Sequence, residues 1–122
     1  MDFKHLAWWQ DKAKSMEIET RLFINGEYCS AVDNTTFETI DPAAQQTLAH
    51  VARGKKADVD LAVQAARRVF ERGDWSQTSP AQRKAVLNKL ADLMESHREE
   101  LALLETLDTG KPIRHSLRDD IP

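Results

Sequence analysis

The densest run of chemically capable side chains is Asp108-Thr109-Gly110-Lys111-Pro112, which sets a carboxylate, a hydroxyl and an ammonium close together. A carboxylate with carbonyls nearby suits a hard cation, because such ions take oxygen ligands. The alternative is purely structural: Gly110 and Pro112 would stop a helix, with Lys111 at the negative end of its dipole. Other candidates are weaker. His5, His50, His97 and His115 have no metal-ligand partner at i+3 or i+4, and the single cysteine, Cys29, cannot build a zinc site. The histidines read as solvated or packed. Cys29 sits beside Tyr28 in an expected strand and reads as a small buried hydrophobe rather than a nucleophile. Glu99, Glu100 and Glu105 share one expected helix and read as a solvated acidic face. Neither G-x-G-x-x-G nor G-x-x-x-x-G-K-[ST] occurs, so no phosphate loop can be placed. These residue types supply no catalytic and no cofactor-binding group.

The elements that would position Asp108 follow from periodicity. Residues 1–20 are expected to form a leader helix, with Leu6, Trp9, Ala13 and Met16 as its apolar stripe and the Trp8-Trp9 pair packed on something large. Residues 21–52 read as two β-hairpins. In the first, Asn25-Gly26 lies between Leu22-Phe23-Ile24 and Tyr28-Cys29, and Asn-Gly supplies the positive φ angles of a type I′ turn. In the second, the alternating run 35–40 is turned by Asp41-Pro42 into a strand over 47–51.

Residues 57–122 read as helices. The first carries Val59, Ala62, Val63, Ala66 and Phe70 on one face, with Asp58 and Asp60 in its favourable first turn. Ser79-Pro80-Ala81-Gln82 opens the next, whose face is Val86, Leu87, Leu90, Leu93 and Met94. Ser96-His97-Arg98-Glu99 reads as a second capping box, starting a helix with Leu101, Leu104 and Leu107 that stops at Gly110. A final stripe, Ile113, Leu117 and Ile121, runs on from Pro112 and looks unfinished. The pattern is that of an α+β segment, two hairpins followed by three or more helices.

Composition narrows the partners. The chain has 122 residues, 41% hydrophobic and 30% charged, which suits one folded, soluble domain rather than a disordered segment. A net charge of −3 argues against nucleic acid or an anionic membrane as partner. No apolar run approaches the roughly 18 residues of a membrane span, and the N-terminus lacks a secretory signal pattern. One unpaired cysteine fits a reducing, cytoplasmic setting.

The stretch Leu104-Glu105-Thr106-Leu107-Asp108-Thr109-Gly110-Lys111-Pro112 closely resembles the ETLDTGKP signature of the aldehyde dehydrogenase superfamily. Leu22-Phe23-Ile24-Asn25-Gly26-Glu27 resembles its first hairpin, and Phe37-Glu38-Thr39-Ile40-Asp41-Pro42 its F-x-T-x-N-P strand and turn. Asp58-Val59-Asp60, Ala62-Val63, Ala65-Ala66 and Phe70 match its first long helix, and Trp75 with 83–93 the next segment. The resemblance covers about residues 22–122. It implies an aldehyde dehydrogenase-like α/β fold, of which residues 1–122 would be the N-terminal part of the cofactor-binding domain, without the catalytic and oligomerisation parts.

The implied reaction is oxidation of an aldehyde to a carboxylic acid by NAD or NADP in a homo-oligomer. A cysteine thiolate attacks the carbonyl and a glutamate activates water. Neither residue maps onto this chain, so no catalytic or cofactor-binding position is carried over. One family site does map. Many members hold a monovalent cation, sodium or potassium, at positions corresponding to Thr39, Ile40 and Asp108, and Asp41 replaces the usual asparagine beside it. The leader from Phe3 to Ile18 and the phrase Glu71-Arg72-Gly73-Asp74-Trp75-Ser76 resemble a bacterial branch of the family that oxidises γ-glutamyl-γ-aminobutyraldehyde in putrescine breakdown. The expectation is an N-terminal fragment of such an enzyme, inactive alone. The competing expectation is a non-enzymatic binding or interaction module that kept the fold segment without its chemistry.

Overall fold

The computed structural model describes residues 3–121. The chain divides into two compact units, one of Met1–Ile18, Thr39–Ala49 and Leu90–Pro122, the other of Glu19–Glu38 and His50–Lys89.

In the second unit, β1 (Leu22–Ile24) and β2 (Glu27–Cys29) pair antiparallel, with Leu22 opposite Cys29 and Ile24 opposite Glu27. Asn25 and Gly26 take φ of 56° and 84°, the left-handed angles a type I′ turn demands. Helix α2 (Lys56–Arg72) ends at Gly73, whose φ of 78° lets its N–H reach back to the Val69 and Phe70 carbonyls. Asp58 does more at its start than complement the dipole. It is buried, and its carboxylate accepts the Val32 and Lys55 amides, both at 2.8 Å, tying the loop after β2 to the helix. These bonds, Lys55's first, hold the Asp58 carboxyl below its usual range.

Three elements have residues in both units. β3 (Thr36–Asp41) and β4 (Gln46–Ala52) form the second two-stranded sheet across a four-residue turn. Helix α3 (Pro80–Ser96) opens with the expected capping box: Ser79 Oγ accepts the Gln82 N–H at 3.2 Å, and Gln82 Oε1 accepts the Ser79 N–H at 3.0 Å.

The first unit holds the apolar core. Helix α1 (Leu6–Ser15) lays Trp9 against Ala102 and Leu103 of α4 (Arg98–Thr109) and against Leu117. Trp8 meets Trp9 edge to face at 4.7 Å, and Ala13 and Met16 close the same side. Leu6 departs from the expected stripe and is 71% exposed. It is the first residue of the helix, where the approach is set by the His5 cap, whose Nδ1 accepts the Trp8 N–H at 3.2 Å.

Two further expectations fail here. Ser96 does not cap α4. It is still inside α3, and its hydroxyl donates back to the Leu93 carbonyl at 2.9 Å, leaving His97 as an N-cap whose side chain makes no capping bond. The acidic face of α4 is not uniformly solvated either. Glu99 and Glu105 are half-buried, and Glu100 accepts from Lys12 of α1 at 3.1 Å. The chain ends in α5 (Ile113–His115) and a π-helical turn, Ser116–Asp120. The buried Ser116 hydroxyl shares a hydrogen bond with Thr106 at 3.1 Å, and Ile113, Leu117 and Ile121 do meet the core as one stripe.

Candidate cation site at a helix end

The hairpin of β3 and β4 brings Thr39 to the end of α4. Thr39 Oγ1 donates to Asp108 Oδ1 at 2.7 Å, joining residues 69 apart in sequence. Gly110 makes the approach possible. At φ 75° it caps α4 by donating to the Thr106 carbonyl at 3.0 Å, and a Cβ there would stand 3.0 Å from Pro42 Cγ. A residue that turns the hairpin and a residue that stops the helix are therefore packed together. Asp41 is occupied by the turn itself: Oδ1 accepts the Ala43 and Ala44 amides at 2.7 and 3.1 Å.

Of the three expected cation ligands, the structure joins Thr39 and Asp108 directly. Ile40 follows Thr39 in β3, and because its side chain is a hydrocarbon only its main-chain carbonyl could serve an ion. Lys111 does not stay at the dipole of α4. It bonds both carboxylate oxygens of Asp120 at 2.6 and 2.5 Å, closing the loop between α4 and the last turn. Spacing gave no signal for that pair, nine residues apart across a proline. Thr109 Oγ1 donates to the Glu105 carbonyl at 2.7 Å and so belongs to the helix stop.

Among the described residues no three His, Cys, Asp or Glu side chains gather as a metal site. What the structure joins is one carboxylate and one hydroxyl, oxygen donors of the kind that hard cations take. The histidines do structural work where they bond at all. His5 caps α1, His97 Nδ1 lies 3.1 Å from Glu100 Oε2, and His115 Nδ1 lies 3.3 Å from Asp119 Oδ2. Cys29 is half-buried in β2. The positive-φ glycines among the described residues sit at a hairpin turn and two helix C-caps.

The aldehyde dehydrogenase family model matches residues 28–122 of the chain. The chain belongs to the aldehyde dehydrogenase family. It is 75% identical, over its whole length, to the NADP/NAD-dependent aldehyde dehydrogenase PuuC of Escherichia coli (strain K12), of which it covers 25%. The structure of gamma-glutamyl-gamma-aminobutyraldehyde dehydrogenase from Burkholderia cenocepacia J2315 is similar at a TM-score of 0.94 and 50% identity, over 96% of this chain and 24% of that one. P. syringae AldA indole-3-acetaldehyde dehydrogenase, solved with NAD+ and IAA, is similar at 0.93 and 49%, over 95% of this chain and 23% of that one. The chain thus spans about a quarter of the length of the relatives it matches. The mixed α+β segment expected from the sequence is the one observed. Among the described residues no helix is long and apolar enough to cross a membrane.

Proposed function

We propose that this chain forms the N-terminal segment of an NAD(P)-dependent aldehyde dehydrogenase, within its cofactor-binding domain, and that the whole enzyme oxidises γ-glutamyl-γ-aminobutyraldehyde. The supporting observation is the 75% identity to PuuC over all 122 residues, joined to the likeness to a gamma-glutamyl-gamma-aminobutyraldehyde dehydrogenase. In that reaction water adds an oxygen to the aldehyde carbon, hydride leaves to the nicotinamide and a proton goes to solvent. The segment's own part is architectural. A cytoplasmic homo-oligomer that uses neither nucleic acid nor membrane fits the net charge of −3 and the single cysteine. The test is a chimera in which this chain replaces the corresponding segment of the E. coli relative. NADH absorbance should appear with that aldehyde, while the isolated chain gives none. A folded but inactive chimera, or turnover by the isolated chain that Cys29→Ala abolishes, would overturn the assignment.

A second reading concerns the helix end. Thr39 Oγ1, the Ile40 carbonyl and Asp108 would hold a sodium or potassium ion with a structural role, supported by the 2.7 Å contact of Thr39 with Asp108. Binding requires the Thr39 hydroxyl to turn its proton away and offer a lone pair instead. The chimera should then melt higher in potassium or sodium than in choline chloride of equal ionic strength, and Asp108→Asn should erase the difference. Equal midpoints in all three salts would dismiss the ion.

A further inference from the structure

We propose that Asn25-Gly26 is a site of spontaneous deamidation whose rate is set by opening of the β1–β2 hairpin. The Gly26 amide nitrogen attacks the side-chain carbonyl carbon of Asn25. A C–N bond forms, the bond to Nδ2 breaks, and ammonia leaves. Water then opens the succinimide at either carbonyl, giving aspartate or isoaspartate, with no change of oxidation state.

The chain contains three asparagines, and only this one meets the demands of the attack. Gly26 has no side chain to hinder its nitrogen, both turn residues are exposed, and nothing lies within 4 Å of where a Cβ would stand. Asn34 is followed by Thr35, whose amide is held by Asp33 Oδ1 at 3.0 Å. Asn88 lies inside α3, where the next amide belongs to the helix ladder. The gate is the turn. Asn25 and Gly26 must leave their left-handed angles before nitrogen and Cγ can meet. Little opposes opening: each strand has only three residues, and Phe23 and Tyr28, whose rings meet across the hairpin at 5.0 Å, are both exposed. Hairpins of this size are marginal by themselves, and such segments open locally.

The product matters to what surrounds it. Isoaspartate adds a methylene to the main chain at the turn and shifts the pairing of Leu22 with Cys29 and Ile24 with Glu27. Phe23 and Ile24 line an open apolar groove with Ala66, Phe70 and Trp75, so its rim moves with the register.

The chain is incubated from neutral to mildly alkaline pH, digested with trypsin and mapped by mass spectrometry. Isoaspartate is labelled by an S-adenosylmethionine-dependent isoaspartyl methyltransferase. The mass gain of NH2 becoming OH should rise with pH at Asn25, stay absent at Asn34 and Asn88, and disappear in Asn25→Gln. The free peptide 22–53 should react faster than the folded chain, the ratio reporting hairpin opening. Equal rates in peptide and chain, comparable reaction at Asn34 or Asn88, or no reaction at Asn25 would each overturn the proposal.

Discussion

The two units are held together differently. The unit containing α1 and α4 closes on apolar contacts, with Trp9 at 4% exposure among Ala102, Leu103 and Leu117. The unit containing the first hairpin and α2 buries little apolar surface of its own: Ala31 and Ala65, while Phe23, Val59, Val63, Phe70 and Trp75 stay exposed. Its order comes from polar bonds, above all the Asp58 carboxylate on two amides and Lys55 on Asp33 at 2.6 Å. Apolar burial is non-directional and indifferent to pH, whereas carboxylate bonds are neither. The first unit should therefore answer to volume, the second to protonation.

Trp9→Ala is expected to do the most damage. Emptying the centre of the only large apolar cluster among the described residues should cost about 3–5 kcal/mol. Urea unfolding followed by the helical signal, and by exchange of the Leu103 amide, will read it. A loss below about 1 kcal/mol would show that the site collapses around the smaller residue.

Acid should act on the other unit first. The Asp58 carboxyl is lowered by the Lys55 and Val32 amides, and that of Asp33 by Lys55 and Thr35. For groups lowered in the folded state, the stability they lend is present above the usual value of 3.8 and lost as pH falls through the folded value. Amide exchange at Val32 and Lys55 should accelerate below the usual carboxylate range before exchange at Leu103 does. Asp58→Ala should give the same loosening at neutral pH. Simultaneous loss in both units would erase the distinction. The first unit has lowered carboxyls too, Asp119 to about 2 through Arg118 and Glu100 through His97 and Lys12, but both lie on the surface and the Trp9 cluster itself contains no titratable group.

Gly110→Ala is a smaller test, inside the apolar unit. It forces a side chain to φ 75° and sets a Cβ 3.0 Å from Pro42 Cγ. A left-handed non-glycine residue costs roughly 1–2 kcal/mol, and the Pro42 contact adds to that. The melting midpoint should fall, and amide exchange at Asp108 should accelerate more than at Leu103 of the apolar core, which serves as the internal reference.

What could be read from the sequence was what is local. Asn25-Gly26, the Ser79–Gln82 box and the Gly110 stop are each decided within four residues, so type and spacing suffice. Ser96 shows the limit of that rule: the motif was present, but α3 ran one residue further and took the hydroxyl. Asp58 reaches Val32 across 26 residues and Thr39 reaches Asp108 across 69, distances no periodicity reports. The second of these pairs became visible only through likeness to a family, because the strand and the helix end each carry a recognisable phrase. Leu6 was misplaced for a physical reason as well, since a stripe drawn at helical spacing does not show where the partner surface begins.

The smallest expected effect probes the uncovered face of α2. Phe70 stands 70% exposed near the end of that helix, beside Trp75 in the same open groove. If this unit draws its order from polar bonds, Phe70→Ser should change the stability of the isolated chain by no more than about 0.5 kcal/mol, as for an ordinary surface position. The same change should reduce binding of a hydrophobic dye and slow self-association, because Phe70, Val63 and Val59 are all exposed apolar side chains of one helix. In the intact chimera a real loss of stability is expected instead, since burying a side chain of that size contributes about 1.5–3 kcal/mol once the remaining chain covers it. The informative quantity is the difference between the two contexts. Equal small effects in both would mean that this face stays uncovered in the whole enzyme. Equal large effects would mean that the hairpin unit already depends on Phe70, and the contrast between an apolar unit and a polar one would fail.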